Sequence, residues 1–313
     1  MLSRIMWTRL ARVFFIGALL AVGDASPGAQ DNPYRLVEGW AQLPAGTEWG
    51  QVVSVSRDAQ GNIWAFHRTD PPILEFAPSG KLLTSFGSGM FVQAHGLSVD
   101  RDGSVWVTDA QGKDGKGHQV FKFSPDGKVL LRLGMAGVAG EGMDTFSGPT
   151  DVITAANGDI FVVEGHGNNR IMKFSKDGKF IKTWGKKGSA PGDFDTPHTI
   201  ALDSRGRVFI GDRANNRIQI FDQDGRFLDQ WRQFGRPSGM FIATDDTLYV
   251  ADDESNETRN PGFNPGIRIG SAKDGTVRAF IPGTSTEDVA GDTSGSVYVA
   301  ELAGKIVKKY VAK

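Results

Sequence analysis

The sequence predicts an all-β protein, a six-bladed β-propeller closed by an N-terminal strand in its last blade. Three observations carry that prediction. A two-strand unit recurs six times along the 313 residues. Glycine supplies 41 of them, roughly twice its usual share. One strand-like segment near the start, "YRLVEGWAQLP" from Tyr34, stands alone with no hairpin partner beside it.

The repeat is plainest at "GLSVDRDGSVWVTD" from Gly96 and "TIALDSRGRVFIGD" from Thr199. Weaker copies are "VSVSRDAQGNIWAFHR" from Val53, "DVITAANGDIFVVE" from Asp151, "MFIATDDTLYVAD" from Met240 and "DVAGDTSGSVYVAE" from Asp288. In each, an alternating apolar run meets a turn of Asp, Gly or Asn, and a second alternating run follows; that is a β-hairpin. A third strand comes next in most copies: "VFKFSPDGK" from Val120, "IMKFSKDGK" from Ile171, "IQIFDQDGR" from Ile218. "FIKTWGKKG" from Phe180 shows the fourth. Four strands in roughly 40–55 residues, repeated, is the period of a propeller. A lone blade cannot bury both faces, so blades pack around an axis, and the glycines serve their left-handed turns. The 7 Trp and 20 Phe are expected in the inter-blade core. The last copy stops after its third strand, "KIVKKYVAK" from Lys305, so the segment from Tyr34 is expected to complete the sixth blade.

Composition excludes several functions. With no Cys there are no disulfides, thiolate metal sites or cysteine nucleophiles. Interspersed charges, 35 basic and 36 acidic, leave no nucleic-acid footprint. Residues 1–29 read as a secretory signal peptide: Arg4, Arg9 and Arg12, an apolar run from Val13 to Val22, then small and polar residues to Gln30. A membrane-spanning helix needs ~20 apolar residues, so that run is too short. Cleavage after Ala25 or Ala29 would leave a propeller of residues 30–313, exported to periplasm or medium, with no membrane partner and expected to be a monomer.

Equivalent positions of a propeller form rings about its axis. Aligned on the first turn (Gly61, Gly103, Gly158, Gly206, Asp246, Gly295), the start of the inner strand reads Val53, His95, Thr150, His198, Ser238, Glu287. His95, His198 and Glu287 fall on alternate blades, about 120° apart, so they converge on the axis. Two His and a carboxylate with open positions suit Zn²⁺ or another divalent transition metal. Asp288, beside Glu287, suits a second, harder ion, which is calcium chemistry. A second ring, at the end of the next strand, reads Arg68, Ala110, Gly165, Arg213, Asp253, Leu302. Arg68 and Arg213 face each other there and suit a small carboxylate-bearing ligand. Arg68 follows His67, which breaks the acidic residue found at that point in the other copies (Asp109, Glu164, Asp212, Asp252, Glu301).

The acidic–Asn–Arg–Ile pattern at Glu164 to Ile171 and at Asp212 to Ile218 resembles NHL repeats. Asn169, Arg170, Asn216 and Arg217 are therefore read as turn and inter-blade salt-bridge residues. The segments "IWAFHR" at Ile63, "HGLSVD" at His95, "VWVTD" at Val105, "HQVFKF" at His118 and "GPTDV" at Gly148 go further. With "NNRIMKFSKDGKFIKTWG" at Asn168 and "GDFDTPHTIALDSRGRVFIGDRANNRIQIF" at Gly192, they resemble the catalytic domain of peptidyl-α-hydroxyglycine α-amidating lyase. The resemblance runs from about Val53 to Phe221, returns weakly in blade six, and fails in blade five, where "SNETRNPGFNPGIRIG" is an insertion.

That family implies a six-bladed propeller with zinc and calcium in its tunnel, splitting a C-terminal α-hydroxyglycine into an amide and glyoxylate. Carried over by position, His95 and His198 match two zinc ligands, and Arg68 and Arg213 the active-site arginines. Val55 and Leu97 match the calcium-ligating carbonyls, and Asp288 the calcium carboxylate. Two positions depart: Glu287 stands for the third zinc His, and His166 for the catalytic Tyr. Gly167 stands where the family has a disulfide cysteine. The resemblance implies a metal-dependent lyase in which His166 takes the hydroxyl proton of a small carboxylate-bearing molecule or peptide C-terminus. Two other readings stay open: a non-catalytic NHL binding or scaffold protein, and a metal-dependent lactonase or hydrolase. His118 is read as structural and "GKDGKG" at Gly112 as a flexible loop.

Overall fold

In each copy the alternating apolar side chains bury the hairpin between two neighbours, and six hairpins so placed close a ring. The computed structural model describes residues 32–283, 285–292 and 294–313; the expected signal peptide lies outside the described residues. Six four-stranded antiparallel sheets are present, each running in chain order from axis to rim except the last. The innermost strands are Val52–Arg57, Ala94–Val99, Pro149–Thr154, Pro197–Leu202, Gly239–Ile242 and Thr286–Gly291. Each contacts the innermost strands of the blades before and after it. Among the described residues the single helical element is a 3₁₀ turn at Arg213–Asn215.

Second strands such as Ile160–Glu164 and Val208–Asp212 are wholly buried, because both faces meet other blades. Outer strands such as Phe180–Trp184 alternate between half-buried and exposed, since one face meets water. Six apolar clusters fill the spaces between blades; one joins Trp106 and Val120 of blade two to Val152, Ile160 and Met172 of blade three. The first turn of each blade needs positive φ. Glycine provides it in five blades, and in blade five Asp246 adopts φ 67°, a conformation Asp tolerates better than most residues.

Tyr34–Val37 pairs antiparallel with Ile306–Ala312, so the sixth sheet holds both ends of the described chain. Two readings need correction. The segment at Gly112 is no flexible loop: Gly112 pairs with Gly117 and Lys113 with Lys116, extending the hairpin of blade two. Asp114 (φ 53°) and Gly115 (φ 73°) make the two-residue turn that matches strand twist. Arg170 and Arg217 form ion pairs within a blade, not between blades, with Glu164 and with Asp212 at 2.7 Å. Third-strand arginines and second-strand acids are neighbours in one sheet.

Candidate metal centre at the tunnel mouth

Five inner strands begin with a β-bulge, and the bulge falls where the repeat alignment placed the axial ring. The ladder skips Val53, His95, Thr150, His198 and Glu287. A bulge leaves a residue out of the ladder and re-aims its side chain. Here His95, His198 and Glu287 line one narrow space, with Ser54, Asp151 and Asp288 a residue deeper. All three ring residues are buried, at 3, 2 and 5% exposure.

The imidazoles are locked in one tautomer. His95 Nδ1 lies 2.7 Å from the Thr150 carbonyl, and His198 Nδ1 lies 2.6 Å from that of Ser238. A carbonyl only accepts, so both Nδ1 atoms carry the proton and both Nε2 atoms present lone pairs inward. This is how a metal-binding His is commonly oriented. Glu287 Oε1 stands 3.5 Å from His198 Nε2 and 3.9 Å from His95 Nε2. His198 Nε2 and Glu287 Oε2 are buried without hydrogen-bond partners. Lone pairs and a carboxylate turned on one point form a costly arrangement unless a cation occupies it.

His166, which the sequence suggested as a proton acceptor, joins this cluster. The residue is exposed, but its Nε2 is turned inward, 2.8 Å from His95 Nε2. The rings of His95, His166 and His198 stand edge-on to one another, their centroids 4.7, 4.7 and 5.2 Å apart. One nitrogen from each lies within 4.8 Å of the others. Ligand atoms about 2.0–2.2 Å from a tetrahedral ion stand about 3.4 Å apart; three of the pairs here, His95–His166 at 2.8 Å, His198–Glu287 at 3.5 Å and His95–Glu287 at 3.9 Å, bracket that. Bare backbone lets His166 lean in. A Cβ on Gly165 would collide with the Pro197 carbonyl, and one on Gly148 (φ 65°) with the His166 side chain.

Electrostatics keep the imidazoles neutral. Burial, then Arg213 and Arg68, hold His166 down to about 4. Burial holds His95 and His198 well below the usual range, helped by His166 at the first and Arg213 at the second. Neutral imidazole is the metal-binding form. Burial, then the neighbouring Asp253, pushes the Glu287 carboxyl up to about 8. Asp253 Oδ1 is itself buried and unpartnered. The donor set suits Zn²⁺ or a similar ion: three neutral nitrogens, a carboxylate, and a second carboxylate behind it.

One layer down, Asp288 accepts from the Ser54 hydroxyl at 2.5 Å and the Val55 amide at 3.1 Å. A strand residue turns its N–H and C=O to the same side, so the Val55 carbonyl faces inward too. Leu97 turns both groups toward Ser54 Oγ, at 3.0 and 3.3 Å. Burial, then Asp151, pushes Asp288 up to about 8. Burial pushes Asp151 itself to about 7. Two buried carboxylates and inward carbonyls suit a hard cation such as Ca²⁺.

The arginines flank the mouth. Arg68 donates through Nε to the Ala94 carbonyl (3.2 Å) and through a terminal nitrogen to Gln51 (3.0 Å). Arg213 approaches Glu254 at 3.9 Å, and its buried Nε has no hydrogen bond. Sequence reasoning gave Asp253 no task, although it shares the ring position of the arginines. It passed over Glu254, whose place in an insertion follows no repeat. It also did not foresee His166 as a third imidazole, because His166 lies one residue beyond the ring position held by Gly165.

Comparison with known proteins agrees with the architecture. A family described as a 6-bladed beta-propeller matches residues 146–230. Peptidyl-glycine alpha-amidating monooxygenase B of Xenopus laevis is 32% identical over 86% of this chain and 35% of its own length. Peptidyl-alpha-hydroxyglycine alpha-amidating lyase 1 of Drosophila melanogaster is 34% identical over 55% of this chain and 37% of its own. NHL repeat-containing protein 3 of Homo sapiens is 34% identical over 58% of this chain and 54% of its own. The chain thus spans about a third to a half of these relatives. Among solved structures, a gluconolactonase from Xanthomonas campestris superposes with a TM-score of 0.63 at 14% identity, covering 91% of this chain and 96% of that one. A streptogramin B lyase gives 0.59 at 14% identity, covering 90% and 98%. At such identity the likeness is one of fold.

Proposed function

We propose that this six-bladed propeller, similar in sequence to peptidyl-α-hydroxyglycine α-amidating lyases and to NHL repeat-containing proteins, is a metal-dependent carbon–nitrogen lyase. Its substrate is a small α-hydroxyglycine-type molecule or peptide C-terminus, released as an amide and glyoxylate. One observation carries the reading: three mutually edge-on imidazoles meet a buried carboxylate at the tunnel mouth, between two guanidinium groups.

In this reading His95, His166, His198 and Glu287 hold a zinc-like ion, and Asp288 with the Val55 and Leu97 carbonyls holds calcium as a structural ion. The transition metal, when bound, supplies Lewis acidity toward the substrate's oxygens. Arg68 grips the substrate carboxylate, orienting the hydroxyl toward the carboxylate pair. Asp253 takes the hydroxyl proton, the carbon–oxygen double bond forms, and the C–N bond breaks. The proton then passes from Asp253 to the departing amide nitrogen, so the reaction consumes no co-reactant. His166 exchanges the base role expected from sequence for a ligand role, because its nitrogen stands among those of His95 and His198. The protein would act as an exported monomer, periplasmic or extracellular, with no nucleic-acid or membrane partner.

The test is direct. Zinc-loaded protein given an α-hydroxyglycine compound should release glyoxylate, and chelator should stop it. Asp253→Asn should keep the metal and lose about 10²-fold or more in turnover, whereas His198→Ala should lose the metal. A metal-replete protein that yields no glyoxylate sinks the lyase assignment.

A further inference from the structure

Arg68 and Arg213 hold equivalent repeat positions across the tunnel mouth, yet their surroundings differ in charge. Arg68 hydrogen-bonds neutral groups alone, the Ala94 carbonyl and the Gln51 side chain. No carboxylate among the described residues lies within ion-pair distance of it, although Glu287 acts on it through space. Arg213 instead has the Glu254 carboxylate 3.9 Å from its Nε. Glu254 belongs to the segment 253–265, which joins Thr247–Asp252 to Gly266–Ser271 in blade five and follows no repeat beyond Asp253. The carboxylate is pinned there by Arg236 at 2.7 Å and Arg259 at 2.8 Å. Arg236 also donates to the Arg213 carbonyl (3.0 Å) and to Asn216 (3.1 Å), tying the insertion to blade four. Asp253, from the same segment, adds a second negative charge that Arg213 feels.

We infer that Glu254 is a specificity residue: it fixes a negative charge beside Arg213, leaves Arg68 to receive the substrate's anionic group, and so restricts the site to hydroxylated monocarboxylates. A second carboxylate reaching toward Arg213 comes beside Glu254, and like charges brought together at a partly buried mouth discriminate between ligands. This rests on the carboxylate-bearing substrate proposed above and adds to it a class: one carboxylate beside the hydroxyl-bearing carbon, with an uncharged substituent opposite.

The experiment compares glycolate with tartronate, α-hydroxy acids of one and two carboxylates, titrated calorimetrically into the zinc-loaded full chain. Wild type should prefer glycolate by about tenfold or more. Glu254→Gln should tighten tartronate by about tenfold while changing glycolate less than about threefold. Glu254→Asp, which keeps the charge, should retain the wild-type ratio. An unchanged ratio in Glu254→Gln, or a wild-type preference for tartronate, overturns the inference. Should Glu254→Gln not fold, Arg68→Gln decides: it should weaken glycolate about tenfold or more, and retained affinity overturns the assignment of the anion to Arg68. If wild type binds neither acid, both this inference and the carboxylate reading fall. If it discriminates as stated but yields no glyoxylate from an α-hydroxyglycine compound, the lyase reading fails and the inference stands.

Discussion

At the tunnel mouth and one layer below it, imidazoles and carboxylates are displaced from their ordinary titration in opposite directions, and the consequence for stability can be worked out by sign. His166 is lowered from 6.5 to about 4, so between those values the unfolded chain binds a proton that the folded one refuses. Stability from such a group is lost as pH falls through that window. Glu287 and Asp288 are raised to about 8 and Asp151 to about 7, from 4.5 or 3.8. Over that span the folded protein keeps protons that the unfolded chain has released, so stability from these groups is lost as pH rises. The two effects oppose each other between about 4.5 and 6.5, and above 6.5 the carboxylates act alone. Metal-free protein should therefore change little in thermal midpoint across the lower window and become less stable from pH 6.5 to 8. Added Zn²⁺ and Ca²⁺ should cancel that fall, since metal binding needs deprotonated ligands. Melting curves with and without chelator at several pH values check it; a metal effect that shrinks with rising pH contradicts it. His95, His198 and Glu287 could be found in the sequence because a bulge at one repeat position aims them all. His166 could not be placed among them, because its approach depends on the bare backbone of Gly148 and Gly165 and on no shared position.

An acid at one repeat position of four second strands explains how the elements carrying these residues are held. Asp109 accepts from the Val92 and Gln93 amides, Glu164 from Ser147, Asp212 from Asp195 and Asp252 from Arg236. Each clamps the loop that enters its own blade over the face bearing the site. In blade one, His67 Nδ1 accepts from the Gly50 amide at 3.0 Å and replaces the missing acid. The arginines add to the clamp. Arg217 spends its five donors on Asp212, Gln230 and the carbonyls of Ser189, Ala190 and Asp193. It is 1% exposed. Arg217→Met should therefore leave a buried carboxylate unpaired and lower stability by about 3–5 kcal/mol, read from urea unfolding at constant slope. Arg170→Met should cost less, because the Arg170 side chain is more exposed than that of Arg217. Strand order and turn positions were readable from period-two alternation and Gly spacing. The direction of these ion pairs was not, because a sequence gives neighbours along the chain and not across a sheet.

No blade contains the centre. His95 comes from blade two, His166 from three, His198 from four and Glu287 from six, while Arg68 and Asp253 arrive from one and five. Their convergence depends on the ring being shut, and the shutting falls to a short seam. Tyr34 pairs with Ala312 and Val37 with Lys309, and the Lys313 amide donates to the Pro33 carbonyl at 2.8 Å. Just past the seam, Trp40 packs edge-on to Tyr298 of blade six and donates through its indole N–H to the Pro78 carbonyl of blade one. Removing residues through Val37 would strip Tyr34, Leu36 and Val37 from the clusters they cover and leave Ile306–Ala312 as an open edge. The thermal midpoint should fall by about 5 °C or more, and the bare edge should promote self-association visible by light scattering. The sharper expectation concerns the metal. The truncation touches no ligand, yet it should weaken zinc by about tenfold or more in competition with a chromophoric chelator, because inter-blade angles set the ligand spacing. A peptide of residues 32–40 supplied in trans should restore both the midpoint and the affinity. Wild-type zinc affinity in the truncated protein would mean that local packing around the bulges holds the site, and that the seam serves stability alone.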